Sequence, residues 1–217
     1  MNFQALRAIN KEYTIRSIHD QSFITFGRII DDNIQEALEA VSAIVQSSQD
    51  GNRYIPSVPS IEKLTSIQSL SQKVYGYMDV MAGLVIGHNE VLNGIEYHQC
   101  SEVILALTDY ILVVGHRWDM KENTYDSSLC EIFYVPQGTI IECYATTLHY
   151  TPICVNDEGY QTICLLLRGT GDVLTDGPQS ILKRKNKWFI AHSQNFEKVQ
   201  SGDYPGLLGK MIHIRHN

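Results

Sequence analysis

The feature that most constrains this chain is a change of hydrophobic period near residue 78. From there on, MDVMAGLVIG, SEVILALTD, YILVVGH, CEIFYVP, TIIECYAT, HYTPICV and YQTICLLLRG each read as a short strand. They are rich in Val, Ile, Leu and Tyr and are bounded by Gly, Pro, Asp or Asn. Alternate side chains of a strand share a face, so this pattern marks sheets with at least one buried side. Short strands in series, with no helical run between them, imply an antiparallel sandwich or barrel. After Gly177–Pro178 come a polar, basic stretch, KRKNKWFIAH, and a Gly/Pro-punctuated tail. The run Lys183, Arg184, Lys185, Lys187 reads as a solvated hairpin or loop.

Upstream the period is helical. Ile34, Leu38, Val41 and Val45 form one stripe, with Asp31, Asp32 or Asn33 available as its cap. A linker with Gly51, Pro56 and Pro59 follows. Leu64, Ile67, Leu70 and Val74 form a second stripe that Gly76 can end. The expected organisation is a helical and loop extension over residues 1–76, packed on a barrel over 77–217 whose C-terminal segment covers it.

A chain of 217 residues suffices for one well-buried domain. Its formal charge of −7 argues against nucleic acid or an anionic membrane as a partner. No apolar run reaches the roughly 20 residues of a membrane span. MNFQALRAINKEYTI lacks the apolar stretch of a signal peptide, so a cytoplasmic location is the expectation. The five cysteines, an odd number with no CxxC pair, argue against a disulfide framework or a thiolate zinc site. They read as small buried strand residues, with Cys100 set apart because it falls inside the segment Gly94–Glu102.

That segment, GIEYHQCSE, concentrates the chemistry. Glu96, His98 and Glu102 have the same parity, so two carboxylates and an imidazole can point into one space. Buried together, two carboxylates repel unless a proton or a cation neutralises one. A divalent metal is the simplest neutraliser, and oxygen and imidazole donors suit Mn, Fe, Ni, Co or Zn. On spacing alone, an exposed polar strand face is the alternative. Downstream come Pro136–Gln137–Gly138, a strand from Ile140, and then His149 close to Pro152.

Together these two segments resemble the cupin superfamily. Its first motif is Gly, His-x-His, three or four residues and Glu; its second adds one more His. The resemblance implies a mainly β fold, the double-stranded β-helix or jelly-roll barrel, here with N-terminal helices. It also implies a metal bound by Glu96, His98, Glu102 and His149. Glu96 stands where the first His of the motif would be, which makes the ligand set harder and more anionic. The spacing of eleven from Gly138 to His149 is similar to that of ureidoglycolate lyase-like cupins and of cupin sugar isomerases. The whole chain, including YDSSLCEIFYVPQGTIIECYATTLHYTP and KWFIAH, looks most like the bacterial family DUF4867.

Further candidates follow from parity and position. Glu142 and Tyr144 share a face on the strand leading to His149. Facing inward they would serve as general base and proton donor; facing outward they would be solvated. Tyr97 and Tyr134 are expected to line a pocket, or else to pack. Lys187 and His192 are expected to bring positive charge to a substrate anion, or else to close a loop. The functional expectation is a metal-dependent enzyme, an isomerase or lyase. Its substrate would be a small sugar, sugar phosphate or hydroxy/keto acid. The alternative is a non-catalytic small-molecule-binding or sensor cupin. A homodimer is expected because sheet edges need covering.

Overall fold

The computed structural model describes residues 2–42 and 52–216. The elements run α1 (Phe3–Ile9), β1 (Ile15–Ser17), β2 (Gly27–Ile29), α2 (Gln35–Ser42), β3 (Arg53–Ile55), α3 (Pro59–Glu62) and α4 (Thr65–Tyr75). There follow β4 (Val80–Gly87), β5 (Gly94–Tyr97), β6 (Glu102–Ala106), β7 (Tyr110–His116), β8 (Tyr125–Asp126), β9 (Glu131–Val135), β10 (Ile140–Cys143), β11 (Thr147–Leu148) and β12 (Tyr160–Leu167). β13 (Leu182–Arg184), β14 (Lys187–Ala191), α5 (Phe196–Gln200) and β15 (Leu207–Leu208) complete the chain.

Two sheets face each other. One is ordered β2-β10-β6-β12-β4-β3. In the other, β1-β9-β7-β11 is joined to β5 by the bridge between His149 and Glu96, and β5 continues into β14 and β13. The central strands are thus β10-β6-β12-β4 in one sheet and β9-β7-β11-β5 in the other. The chain crosses between sheets at every step from β4 to β12 except the β7–β9 hairpin. That connectivity defines a jelly roll, the cupin architecture expected from sequence.

Strand alternation divides the apolar residues into three layers. Ala82, Leu84, Val103, Leu105, Ile163 and Leu165 face outward from the first sheet, against Ile34, Val41, Ile67 and Leu70 of the helical segments. Ile104, Leu112, Val114, Phe133, Ile141 and Cys143 fill the space between the sheets. Ile95, Tyr97, Ile111, Val113, Ile132 and Tyr134 lie outside the second sheet, beneath the C-terminal segment.

The helices start and stop for local reasons. The Asn33 side chain accepts from the Gln35 N–H, 2.8 Å, and so caps α2. The expected end of that helix, including Val45, lies outside the described residues. The expected second helix is broken at Leu64, which is extended, giving α3 and α4. Gly76 ends α4 in the left-handed conformation, φ 58°. HYTPICV forms no ladder, only the isolated bridges of His149 to Glu96 and of Ile153 to Ile111. Pro152 at its middle has no N–H to give.

The first 76 residues do more than pack on the barrel. β1 pairs in parallel with β9, while β2 pairs antiparallel with β10 and β3 antiparallel with β4, so all three extend the sheets as edge strands. Phe26 enters the layer between the sheets, edge-on to Phe133 and stacked on His116 at 4.0 Å. No helix among the described residues is long and apolar enough to cross a membrane.

If this segment is integral to the core, truncating Phe26, 1% exposed, destabilises the whole fold. Denaturant unfolding of Phe26→Ala should show a loss of about 3–5 kcal/mol. Ile24→Ala, at a side chain that is 66% exposed, should stay within about 0.5 kcal/mol of the parent.

Candidate metal centre

The Glu96 N–H donates to His149 O at 2.7 Å, and the His149 N–H donates to Glu96 O at 3.0 Å. Residues opposed in an antiparallel bridge project to the same side. This pair therefore sends a carboxylate and an imidazole together into the interior. His98 follows two residues after Glu96, and Glu102 opens β6 on the facing sheet, opposite Cys143.

The four side chains meet. His149 Nε2 is 2.9 Å from Glu102 Oε2. His98 Nε2 is 3.4 Å from Glu102 Oε2 and 3.6 Å from Glu96 Oε1. Both carboxylates are 8% exposed and His98 is 2% exposed. Lys187 Nζ lies 2.5 Å from Glu96 Oε2.

Both imidazoles are oriented from behind. His98 Nδ1 is 2.7 Å from the Asn186 carbonyl and His149 Nδ1 is 3.1 Å from the Thr147 carbonyl. A carbonyl only accepts, so each Nδ1 carries the proton and each Nε2 faces the cluster. Backbone partners of this kind fix metal-ligating histidines. His98 Nε2 is buried without a hydrogen-bond partner, an expensive state that a metal bond would relieve. Glu96, His98 and His149 each offer a ligand atom within 4.8 Å of the others. The donor set thus fits a divalent transition ion, with Glu102 beside it.

Without a metal, charges hold charges. Burial pulls the His98 pKa down, but the Glu102 and Glu96 carboxylates outweigh it and raise it to about 10. Burial raises the Glu96 pKa, but Lys187 and His98 outweigh it and bring it to about 2. Glu102 is likewise held well below the usual carboxylate range by His149 and His98, against its burial.

The cluster opens on a cavity of about 500 Å³. Its wall includes Thr162, Cys164 and Leu166 of β12, the inward partners of the outward Ile163 and Leu165. Lys183, Arg184, Lys187 and Lys198 bring positive charge to it. Lys183 pairs with Asp203 and Lys187 with Glu96. Lys198 donates to the Tyr150 hydroxyl, 3.2 Å. Among the described residues, Arg184 and Lys198 have no carboxylate partner.

Of the expected site residues, the structure gathers Glu96, His98, Glu102, His149 and Lys187 at this cavity. The others lie elsewhere. Glu142 opposes Val103, whose side chain faces outward, so Glu142 also points out and is bound by Arg28 Nε at 2.6 Å. Tyr144 lies past the end of β10, and its N–H donates to Phe26 O. Tyr97 alternates with Glu96 and so faces the outer layer, stacked on Trp188 at 5.2 Å under Arg117. Tyr134 is in the same layer, its hydroxyl donating to Asp109 at 2.5 Å. His192 is fully buried, its Nδ1 accepting from the Gln194 N–H at 3.2 Å. None of these five lines the cavity.

Sequence reasoning missed Lys183, Arg184 and Lys198 as cavity residues. The basic run was in plain view, but it forms the β13–β14 hairpin, and only the pairing of β14 with β5 turns that hairpin over the cluster. Phe189 opposes Glu96 and Trp188 opposes Tyr97, so Lys187 and Phe189 face the cavity while Trp188 faces away.

Residues 15–212 match the model of a domain of unknown function, DUF4867, and the chain belongs to that family. No curated protein matches it. Among solved structures, EvdO2 from Micromonospora carbonacea var. aurantiaca, complexed with 2-oxoglutarate, is 9% identical with a TM-score of 0.47. That match covers 67% of this chain and 89% of that one. HygX from Streptomyces hygroscopicus, with nickel, 2-oxoglutarate and hygromycin B bound, is 10% identical with a TM-score of 0.46. It matches over 66% of this chain and 83% of its own. An oxalate decarboxylase is 9% identical with a TM-score of 0.38, over 75% of this chain and 39% of its own.

The raised His98 pKa sets a pH dependence for the metal-free protein. A group whose folded pKa lies above its unfolded value stabilises the fold below the unfolded pKa, and the gain is lost as pH rises through the folded one. Stability of the chelated chain should therefore fall between about 6.5 and about 10. His98→Asn should flatten that part of the profile, as measured by thermal unfolding across pH in chelator.

Proposed function

We propose that this protein is a metal-dependent enzyme of the isomerase or lyase type acting on a small, oxygen-rich anion. A sugar phosphate or a hydroxy/keto acid meets that description. One observation carries the reading: a buried His–Glu cluster, one of whose imidazole nitrogens lacks a hydrogen-bond partner, opens on a cavity where, among the described residues, Arg184 and Lys198 have no carboxylate partner. Glu96, His98, Glu102 and His149 would hold the ion. Once bound, the ion would polarise a substrate carbonyl or hydroxyl and acidify the adjacent C–H.

The chain's own groups supply the rest. Arg184 and Lys198 offer charge to a phosphate or carboxylate. With Glu142 turned outward, the proton carrier must come from within the cavity. Glu96 and Lys187, 2.5 Å apart, already share a proton-bearing contact. A carboxylate–ammonium pair can take a proton from carbon at one atom and return it at another. Thr162, Cys164, Leu166 and Phe189 keep water from much of the wall.

A second reading, a non-catalytic binder, has one observation in its favour. Lys187 already neutralises Glu96, so the cavity can hold an anion without a metal.

Elemental analysis beside turnover assays separates the two. Wild type should carry transition metal, and His98→Ala should lose the equivalent held at this cluster. Metal-dependent turnover should appear against a panel of aldoses, ketoses, sugar phosphates and hydroxy or keto acids. Lys187→Met should retain the metal but lose about 10²-fold or more in kcat. A metal content that His98→Ala leaves unchanged, or that is absent from wild type after soaking with each ion, contradicts the enzyme reading. Anion binding by calorimetry without turnover would establish the binder instead.

A further inference from the structure

A second group of ligand-type side chains lies away from the cavity, where the C-terminal segment crosses the loop after β4. The Leu92 N–H donates to Ile212 O at 2.9 Å and the Ile214 N–H donates to Glu90 O at 3.0 Å. These bonds lay 212–214 beside 90–92 as an antiparallel pair, with Val91 opposite His213. The Cys154 N–H donates to Asn89 O at 2.8 Å, which ties the third segment to the same loop. Backbone pairing alone thus brings together residues far apart in sequence.

Their side chains converge. His216 Nε2 is 3.5 Å from Cys154 Sγ and 3.2 Å from Glu90 Oε1. The ligand atoms of Glu90, Cys154 and His216 all lie within 4.8 Å of one another. His213 Nε2 stands 3.4 Å from the other oxygen of Glu90. The His216 side chain is 4% exposed, and its Nδ1 makes no hydrogen bond. The Asp157 carboxylate approaches that atom to 3.4 Å. His216 Nε2 faces the thiol and the Glu90 carboxylate, and Asp157 stands within ion-pair distance of the other ring nitrogen. None of these residues lines the cavity.

We propose that Glu90, Cys154 and His216 form a second metal site, separate from the barrel cluster, that takes zinc and pins the C-terminal strand to the jelly roll. Sulfur, imidazole and carboxylate on one ion is a borderline-soft set, which suits Zn²⁺. His213 stands against the other oxygen of Glu90, outside the group of three. The cysteine spacing argued against a zinc site because it tests only ligands close in sequence. This cluster is instead assembled by the fold, over Glu90, Cys154 and His216.

Cobalt titration of the full chain tests this, because a cobalt–thiolate bond gives a near-ultraviolet charge-transfer band that carboxylate and imidazole ligands do not. The band is expected in wild type and in His98→Ala/His149→Ala, and should vanish in Cys154→Ala. Glu90 is exposed, so Glu90→Gln should fold normally. Its zinc affinity, read by competition with a chromogenic chelator in the His98→Ala/His149→Ala background, should fall about tenfold or more. Three results would overturn the proposal: no thiolate band in wild type, a band that survives Cys154→Ala and so belongs to Cys164 at the cavity, or unchanged zinc affinity in Glu90→Gln. Should Cys154→Ala fail to fold, the wild-type band and Glu90→Gln decide the question.

Discussion

Two backbone hydrogen bonds, exchanged between Glu96 and His149, hold the rest of the molecule in register. They join β5 to β11 and so complete the second four-stranded sheet of the jelly roll. They also settle which side Glu96 and His149 face. With Glu96 inward, Tyr97 must face out; with Glu102 inward, Val103 must face out. Because Cys143 opposes Glu102, Glu142 is turned outward to Arg28. A slip of one residue would exchange the interior of the cavity for its outer layer.

Burying Glu96 and Glu102 side by side is costly unless positive charge accompanies them. Two kinds of group answer it. The imidazoles of His98 and His149 come from the segments that follow β5 and β11, whereas Lys187 comes from the β13–β14 hairpin far downstream. The same hairpin offers the Asn186 carbonyl that fixes the His98 ring. Asn186 adopts a left-handed conformation, φ 54°, a region Asn tolerates better than most residues. One turn therefore orients His98 and neutralises Glu96. In the proposed centre, metal and Lys187 would both act on Glu96, which would couple ion binding to proton transfer through that residue.

Much of this was legible because strands have a period of two. Most strands of the jelly roll stand where alternation put them, HYTPICV excepted. Glu96 and His98 share a side as their parity implied, whereas Glu102 reaches the cluster from β6 on the facing sheet, which parity along one strand does not encode. Tyr97, adjacent to Glu96 on one strand, carried its own signal of facing the other way. Glu142 could not be oriented from its strand alone, since inward and outward are defined only by pairing with β6. The edge strands β1, β2 and β3 have three residues each, too few to show any period. Lys183, Arg184 and Lys198 reach the cavity through contacts between distant segments, which local patterns do not encode.

The central claim is that the Glu96–His98–Glu102–His149 cluster is a metal centre. An anomalous-difference map from a crystal soaked in cobalt or manganese tests it most directly. The expected result is a peak at bonding distance from both His98 Nε2 and His149 Nε2, with at least one of the two carboxylates coordinated. A fully soaked crystal with no peak there, and with Lys187 still closing on Glu96, would contradict it.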